Sequence, residues 1–338
     1  MIRVQAPIRL HFGLFVFGQN RSATDDGLLA ARQFGSVGMM LERPGVVLTA
    51  RPANAWSAQG PSAERVLTVA RRWAELMDTH RIKPQSLVVE CCAPEHVGLG
   101  TGTQISLAVA KALSIAAGLE DLVSGELTRH LGRGRRSALG THGFNRGGFL
   151  VDGGKRSSDG VAPLIVRREV PADWHFLLVL LPLEKGLHGE REAAAFRRLE
   201  ERPESQALTD RLCRLVLLGM LPALEEKDLE SFGEAVYEFN ACVGDAFAPV
   251  QSGRYAHPAI GELIAFLRQE GVRGVGQSSW GPAVFAISGR EETSALARLV
   301  RKRFGLNDTQ IMITQACNGG AVVVNPGNKS DSRRSDSF

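Results

Sequence analysis

With 338 residues, 44% of them hydrophobic, the chain exceeds the usual size of one hydrophobic core, so two packed lobes are expected. Its 40 basic and 36 acidic residues leave a net charge of +4, a near balance that gives no support to a nucleic-acid or membrane surface and is compatible with a small anionic substrate. Five cysteines, Cys91, Cys92, Cys213, Cys242 and Cys317, form no CxxC pair or zinc-like cluster, and their odd number argues against a disulfide framework and for the reducing cytosol.

The chain opens on MIRVQAPIRLHFGLFVFG, which alternates like a strand from Ile2 to Phe17 and lacks the charged and apolar regions of a leader. Asp25 and Asp26, before Gly27, read as a solvated loop or as ligands for Mg²⁺ or a ribose diol. Strand-like runs at Val46 to Arg51 and Ser86 to Cys92 alternate with helix-like stretches at Ala63 to His80 and Thr103 to Ala117, a mixed α/β pattern. Adjacent in their strand, Cys91 and Cys92 point to opposite faces and are not read as nucleophiles. From Gly132 to Gly154 the chain is dense in glycine and arginine, which supply tight turns and fixed positive charge. A polar, proline-bearing stretch from Pro163 to Pro171 marks the lobe boundary, placed between residues 165 and 166. The second lobe, 166–324, opens with a buried-type strand at His175 to Leu183. Helical stretches follow at Glu190 to Glu201, Leu208 to Glu226 and Asp228 to Cys242, and a strand, turn and helix close it. The polar tail 325–338 reads as disordered. No apolar run approaches the ~20 residues that span a bilayer.

The segment Pro94 to Gln104, PEHVGLGTGTQ, follows an apolar strand and runs into an alanine-rich helix. Glycines at such a junction let backbone N–H groups turn inward, and the helix N-terminus adds partial positive charge, so Gly98, Leu99, Gly100, Thr101, Gly102, Thr103 and Gln104 form an anion cradle. Thr101 and Thr103 offer hydroxyls to a phosphate or a metal. Close packing of helix on strand explains the same glycines structurally. No lysine follows, so the pattern is not that of a P-loop.

PEHVGLGTGTQ resembles the second motif of the GHMP superfamily of small-molecule kinases. Ala6 to Gly13 (APIRLHFG) resembles its first motif, and Gly274 to Phe285 (GVGQSSWGPAVF) its glycine-rich third. The resemblance implies an α+β, two-lobed fold: an N-terminal α/β lobe with the phosphate loop, a C-terminal ferredoxin-like lobe, and the active site between them. Many members place an aspartate before a glycine pair, where it orients or deprotonates the attacking hydroxyl. Here Gly140 stands in that place, ahead of Gly147-Gly148, which puts ordinary phosphoryl transfer in doubt.

GQSSWGPAV, PEHVGLGTGTQ, Arg133 to Gly154 and Gly186-Leu187-His188-Gly189-Glu190 together resemble the β-ribofuranosylaminobenzene 5′-phosphate synthase family. That resemblance implies a decarboxylating phosphoribosyltransferase of methanopterin biosynthesis, joining phosphoribosyl pyrophosphate to 4-aminobenzoate or 4-hydroxybenzoate. A cytoplasmic homodimer using Mg²⁺ is expected. The leaving pyrophosphate calls for backbone donors, arginine and Mg²⁺. Arg133, Arg135 and Arg136 can fork onto phosphates, or form a solvated run. Arg9, His11, His142 and Lys185 are candidates to hold the benzoate, with Arg9, His11, Arg136 and His142 assigned to catalysis. His11 fits equally a satisfied, semi-buried histidine. His96 and His188 occupy flexible positions suited to function, but no metal spacing links them. Asp152 and Glu190 are the expected metal ligands. Gln277, Ser278 and Ser279 supply hydrogen bonds, and Trp280 either stacks on the benzoate or packs between the lobes. An ATP-dependent kinase and a non-catalytic ligand sensor are the alternatives on this scaffold.

Overall fold

Alternating apolar residues in the first sixteen positions form β1 (Ile2–Val16), which pairs antiparallel with β2 (Phe34–Pro52) from Ile2↔Ala50 to Val16↔Phe34. The register shifts between Ala6 and Ile8 and between His11 and Gly13. In this computed structural model the described residues are 1–16, 32–77, 82–119, 128, 131, 132, 134, 136–156, 160–202, 206–251 and 253–325. Asp25, Asp26, Arg133, Arg135 and the tail from 326 lie outside them.

The first sheet continues with β3 (Ser57–Gln59), β4 (Gln85–Cys91), β5 (Phe149–Asp152) and β6 (Leu164–Arg168), and takes β11 (Val322–Val324) from the far end of the chain. Its main order is β11-β1-β2-β4-β3, with β5 pairing β2 and β6 pairing β5; only β3 and β4 run parallel. Helices α1 (Ala63–Leu76) and α2 (Thr101–Ala116) cover one face, burying Val66, Trp73, Ile105 and Val109 against Val4, Leu48 and Leu87. A short helix, α3 (Leu139–Arg146), and β5 occupy the glycine-rich stretch, whose glycines were expected to permit tight turns. Gly147 and Gly148, both at positive φ, let Gly148 N–H reach the Cys317 carbonyl at 2.7 Å, fastening the returning C-terminal segment. The division expected at 165/166 falls within β6, which belongs to the first sheet.

The second sheet contains β7 (Trp174–Leu180), β8 (Gly274–Gln277), β9 (Ala283–Gly289) and β10 (Ile311–Gln315) in the ferredoxin-like order β10-β7-β9-β8, all antiparallel. Side chains of β7 alternate between two cores. Leu177 and Val179 meet α8 (Pro258–Gln269) and α9 (Arg290–Phe304), while Phe176 and Leu178 face α7 (Leu229–Phe247). Three further helices precede α7: α4 (Gly189–Glu200), α5 (Gln206–Leu215) and α6 (Leu221–Glu226), the last two joined by a π turn at Val216–Met220.

The core that includes Phe176 and Leu178 also takes Ile8, Leu10, Phe12 and Leu14 of β1. Phe12 lies 5.3 Å from Phe285 between ring centroids, and Phe149 lies 5.9 Å from Phe232. Each such ring contributes about 1.5–3 kcal/mol when fully buried. The lobes therefore share one apolar body, and the second half of β1 is fixed at their junction. Among the described residues, no helix is long and apolar enough to cross a membrane.

Candidate active site

A cleft of about 280 Å³ opens at this junction. Its walls are Arg9 and His11 of β1, Thr103 of α2, Arg136, Glu192 and Phe196 of α4, the end of α7 with Phe247, and Ser279 and Trp280 beyond β8.

The glycine-rich loop lies behind Arg9 and reaches the cleft wall at Thr103. Gly98 has φ +94°, and a Cβ there would sit 2.1 Å from the Ser278 carbonyl oxygen, so only glycine fits. Gly100, at φ +71°, caps α2 and lies under Arg9, whose Nε would be 3.3 Å from an added Cβ. Backbone bonds from Arg9 N–H to Leu99 O (3.0 Å) and from Ala283 N–H to Val97 O (3.1 Å) hold the loop between β1 and β9. The Ser278 hydroxyl accepts from His11 N–H at 3.1 Å and donates to Gly98 O at 2.9 Å.

Several polar side chains expected to face ligand are therefore spent on backbone. Ser278 is fully buried as this tie. Thr101 donates its hydroxyl to Pro94 O at 3.1 Å, and Gln104 its amide to Gly140 O at 2.9 Å. Gln277 lines the cleft, but its Oε1 accepts from Ala256 N–H at 2.8 Å and its Nε2 donates to Ser279 O at 2.9 Å. Leu99 is a core side chain. What faces an incoming anion is the first turn of α2, with Thr103 on the cleft, and the Arg9 guanidinium.

Electrostatics sharpen this end. Arg9 Nε is buried with no partner, and burial pushes the guanidinium down to about 10, against the pull of Glu192 and Asp152. His11 is 4% exposed, and its Nδ1 is also buried without a partner. Burial first, and Arg9 second, hold the imidazole neutral, well below its ordinary range.

Also on the cleft wall, Arg136 pairs with Glu192 at 2.8 Å and lies 3.9 Å over the Phe196 ring. Phe196, Phe247 and Trp280 form a mutually edge-on triad with centroids 4.7 to 5.9 Å apart. Trp280, 7% exposed, thus both packs in the core and fronts the cleft. Ser279 adopts φ +55° and donates its N–H to His11 O at 3.2 Å.

Other expected site residues fall elsewhere. Asp152, 1% exposed, accepts Ser36 Oγ and the Ala138 N–H (2.9 Å) on Oδ2 and the Gly154 N–H (3.1 Å) on Oδ1. Burial raises its pKa despite these donors. It anchors the start of α3, which corrects its assignment to metal. Glu190 is exposed at the start of α4, and among the described residues no group of three or more His, Cys, Asp or Glu could hold a metal. His142 turns to the Ala162 carbonyl, 2.7 Å from its Nε2, and is absent from the cleft wall. Lys185 and His188 are exposed; His188 stacks on His96 at 4.0 Å, outside the cleft lining. Gly140 packs in α3 under α2, where a Cβ would meet Thr103 Cγ2 at 3.2 Å.

Sequence reasoning missed Asn240. Its Nδ2 donates to Phe12 O (2.8 Å) and Gln277 O (2.9 Å), and its Oδ1 accepts Gln277 N–H (3.0 Å), bridging β1 to β8. The signal was present: a polar amide within the apolar stripe Phe232, Val236, Val243 and Phe247 of α7. Glu192, Phe196 and Phe247 carried no comparable signal, because ordinary amphipathic helices contain the same residues.

The family model described as "GHMP kinases C terminal" matches residues 220–305. The chain is 30% identical to β-ribofuranosylphenol 5′-phosphate synthase of Archaeoglobus fulgidus, covering 96% of this chain and 99% of the relative. It is 28% identical to the synthase of the same name from Methanothermobacter thermautotrophicus, over 95% and 98%. Mevalonate diphosphate decarboxylase from Enterococcus faecalis superposes with a TM-score of 0.64 at 16% identity, covering 96% of this chain and 98% of that one. Homoserine kinase from Cytophaga hutchinsonii does so with a TM-score of 0.63 at 17% identity, over 96% and 97%; these two likenesses concern the fold. Near-full-length similarity to the archaeal synthases, on a GHMP-kinase fold, makes this chain an enzyme of the β-ribofuranosylphenol 5′-phosphate synthase family.

Proposed function

We propose that the enzyme joins phosphoribosyl pyrophosphate to 4-hydroxybenzoate or 4-aminobenzoate, releasing pyrophosphate and carbon dioxide, as a cytoplasmic step of tetrahydromethanopterin biosynthesis. The observation that carries this reading is the pairing, in one cleft, of the Arg9 guanidinium, its Nε buried without a partner, at the start of α2 with an aromatic wall bearing Arg136. The Arg9 group suits a phosphorylated sugar and the aromatic wall with Arg136 an aromatic acid. The relatives' product, a ribofuranosylphenol phosphate, has both parts.

In this reading the ring carbon bearing the carboxylate attacks the anomeric carbon as the bond to pyrophosphate breaks, and that bonding pair leaves on pyrophosphate. Loss of carbon dioxide returns the carboxylate's bonding pair to the ring, so rearomatisation removes no proton. The Nη groups of Arg9 and the first turn of α2 take the donor's phosphates. Arg136 forks onto the acceptor's carboxylate in exchange for Glu192, and the dry wall of Phe196, Phe247 and Trp280 favours loss of charge as carbon dioxide. Among the described residues no group of three or more His, Cys, Asp or Glu could hold a metal, Glu192 is paired with Arg136, and Asp152 is taken up by protein donors. Magnesium therefore enters this reading only as the companion of the donor's own phosphates. Glycine at 140 also leaves an ATP-dependent kinase without the usual carboxylate base.

Incubating the protein with phosphoribosyl pyrophosphate, Mg²⁺ and either acid carrying a labelled carboxyl, beside an ATP-consumption screen, tests the reading. Labelled carbon dioxide from either acid is expected; its absence with both overturns the proposal.

A further inference from the structure

Arg9 and His11 stand two residues apart on β1, so strand alternation sends both side chains to the face that lines the cleft. Each presents a buried polar atom with no partner: Nε of Arg9 and Nδ1 of His11. The His11 backbone is clamped on both sides, by Ser278 Oγ on its N–H and by Ser279 N–H on its carbonyl, so the ring is held in place for whatever it meets. Buried polar atoms are almost always satisfied, and two orphans on one strand face of the cleft wall point to one ligand.

The two atoms differ in character. Arg9 Nε–H can only donate. The imidazole is neutral, and a positive neighbour favours the tautomer that turns the Nδ1 lone pair toward it, making Nδ1 an acceptor. A phosphate or carboxylate anion satisfies Arg9 but has no proton for Nδ1. A sugar diol offers a hydroxyl oxygen to the first and an O–H to the second.

Resting on the phosphoribosyl-transfer reading above, we propose that Arg9 Nε and His11 Nδ1 together bind the ribose diol of the donor, with a ribose hydroxyl donating to His11 Nδ1. A hydroxyl beside an anomeric carbon becomes a stronger donor as positive charge develops there, so this bond tightens toward the transition state. His11 then acts on kcat more than on KM, and an imidazolium at this place could neither accept the hydrogen bond nor tolerate the growing charge.

The test compares wild type with His11→Leu and His11→Asn, using phosphoribosyl pyrophosphate and its 2-deoxy and 3-deoxy analogues, with carbon dioxide release as readout. With the natural donor, His11→Leu should lose roughly 10- to 100-fold in kcat/KM, the range of one good hydrogen bond, mostly in kcat. With the deoxy donor lacking the partner hydroxyl, the penalty should shrink below about threefold. His11→Asn, which keeps a polar acceptor near the Nδ1 position, should recover part of the loss. An equal penalty with both deoxy donors overturns the proposal, as does a penalty that disappears only with 4-methoxybenzoate as acceptor. If His11→Leu does not fold, ¹⁵N-histidine-labelled wild type titrated with ribose 5-phosphate and its deoxy counterparts decides. A His11 Nδ1 resonance of lone-pair type that moves with ribose 5-phosphate and not with one deoxy sugar supports the proposal; a protonated Nδ1, or equal shifts with all the sugars, overturns it. Wild-type enzyme that releases no carbon dioxide would instead defeat the reaction assignment, so the two failures are distinguishable.

Discussion

Replacing Asn240 by alanine removes three hydrogen bonds at once: two donated by Nδ2, to Phe12 O and Gln277 O, and one accepted by Oδ1 from Gln277 N–H. The side chain is 7% exposed, so little water reaches the stranded groups. Neutral bonds contribute about 1 kcal/mol each, so losing all three costs about 3 kcal/mol. At roughly 2 °C per kcal/mol for a chain of this size, the melting temperature should fall by about 6 °C. The same amide sets the spacing between β1 and β8, and therefore between His11 and Ser279. Carbon dioxide release measured well below the melting transition should fall about tenfold, beyond what unfolding explains. Asn240→Asp should be worse than alanine, because a carboxylate keeps the Gln277 N–H but faces two carbonyl oxygens. A melting temperature for Asn240→Ala within about 2 °C of wild type, with unchanged kcat/KM, would refute the view that this amide couples the lobes.

Arg9→Met separates stability from function. A guanidinium held at about 10, below its ordinary 12.5, destabilises the fold at every pH below about 10, and that cost is released as the pH rises from about 10 to 12.5. The variant should melt at or above the wild-type temperature by calorimetry near neutral pH while losing at least roughly 100-fold in kcat/KM for the phosphorylated donor; a lowered melting temperature with intact donor affinity contradicts this. Asp152→Asn leaves one oxygen for the Ala138 and Gly154 N–H groups, which now use different oxygens. Denaturant unfolding should show a loss of about 1–3 kcal/mol with an unchanged dependence on Mg²⁺ concentration, whereas a weakened Mg²⁺ response without loss of stability would restore Asp152 as a metal ligand.

The loop was readable because its chemistry is local. Glycines between a strand and a helix imply close backbone approach, and Gly98 and Gly100 adopt the positive φ that such a turn requires. The strands and helices of both lobes were likewise visible in their periodicities. Strand β2 begins at Phe34, ahead of the expected Val46, because Gly35 and Gly38 break the apolar pattern where β5 and His11 crowd the backbone. The polar residues around the loop were less informative, since type and position cannot tell a ligand donor from a backbone tie. Thr101, Gln104, Gln277 and Ser278 all proved to be ties. Asp152 looked like a ligand because it stands beside glycines, yet the Gly154 and Ala138 N–H groups and the Ser36 hydroxyl saturate it. The aromatic wall was legible only at Trp280, because Phe196, Phe247 and Trp280 come from three separate segments and meet only through the tertiary packing of the second lobe.

Structure determination of the isolated product by NMR, with pyrophosphate and carbon dioxide quantified in the same reaction, tests the central claim most directly. A carbon–carbon bond between the anomeric carbon and the ring carbon that carried the carboxylate is expected, with pyrophosphate and carbon dioxide formed in equal amounts. An O- or N-riboside that retains the carboxylate, or a phosphorylated acceptor with ADP, would contradict it.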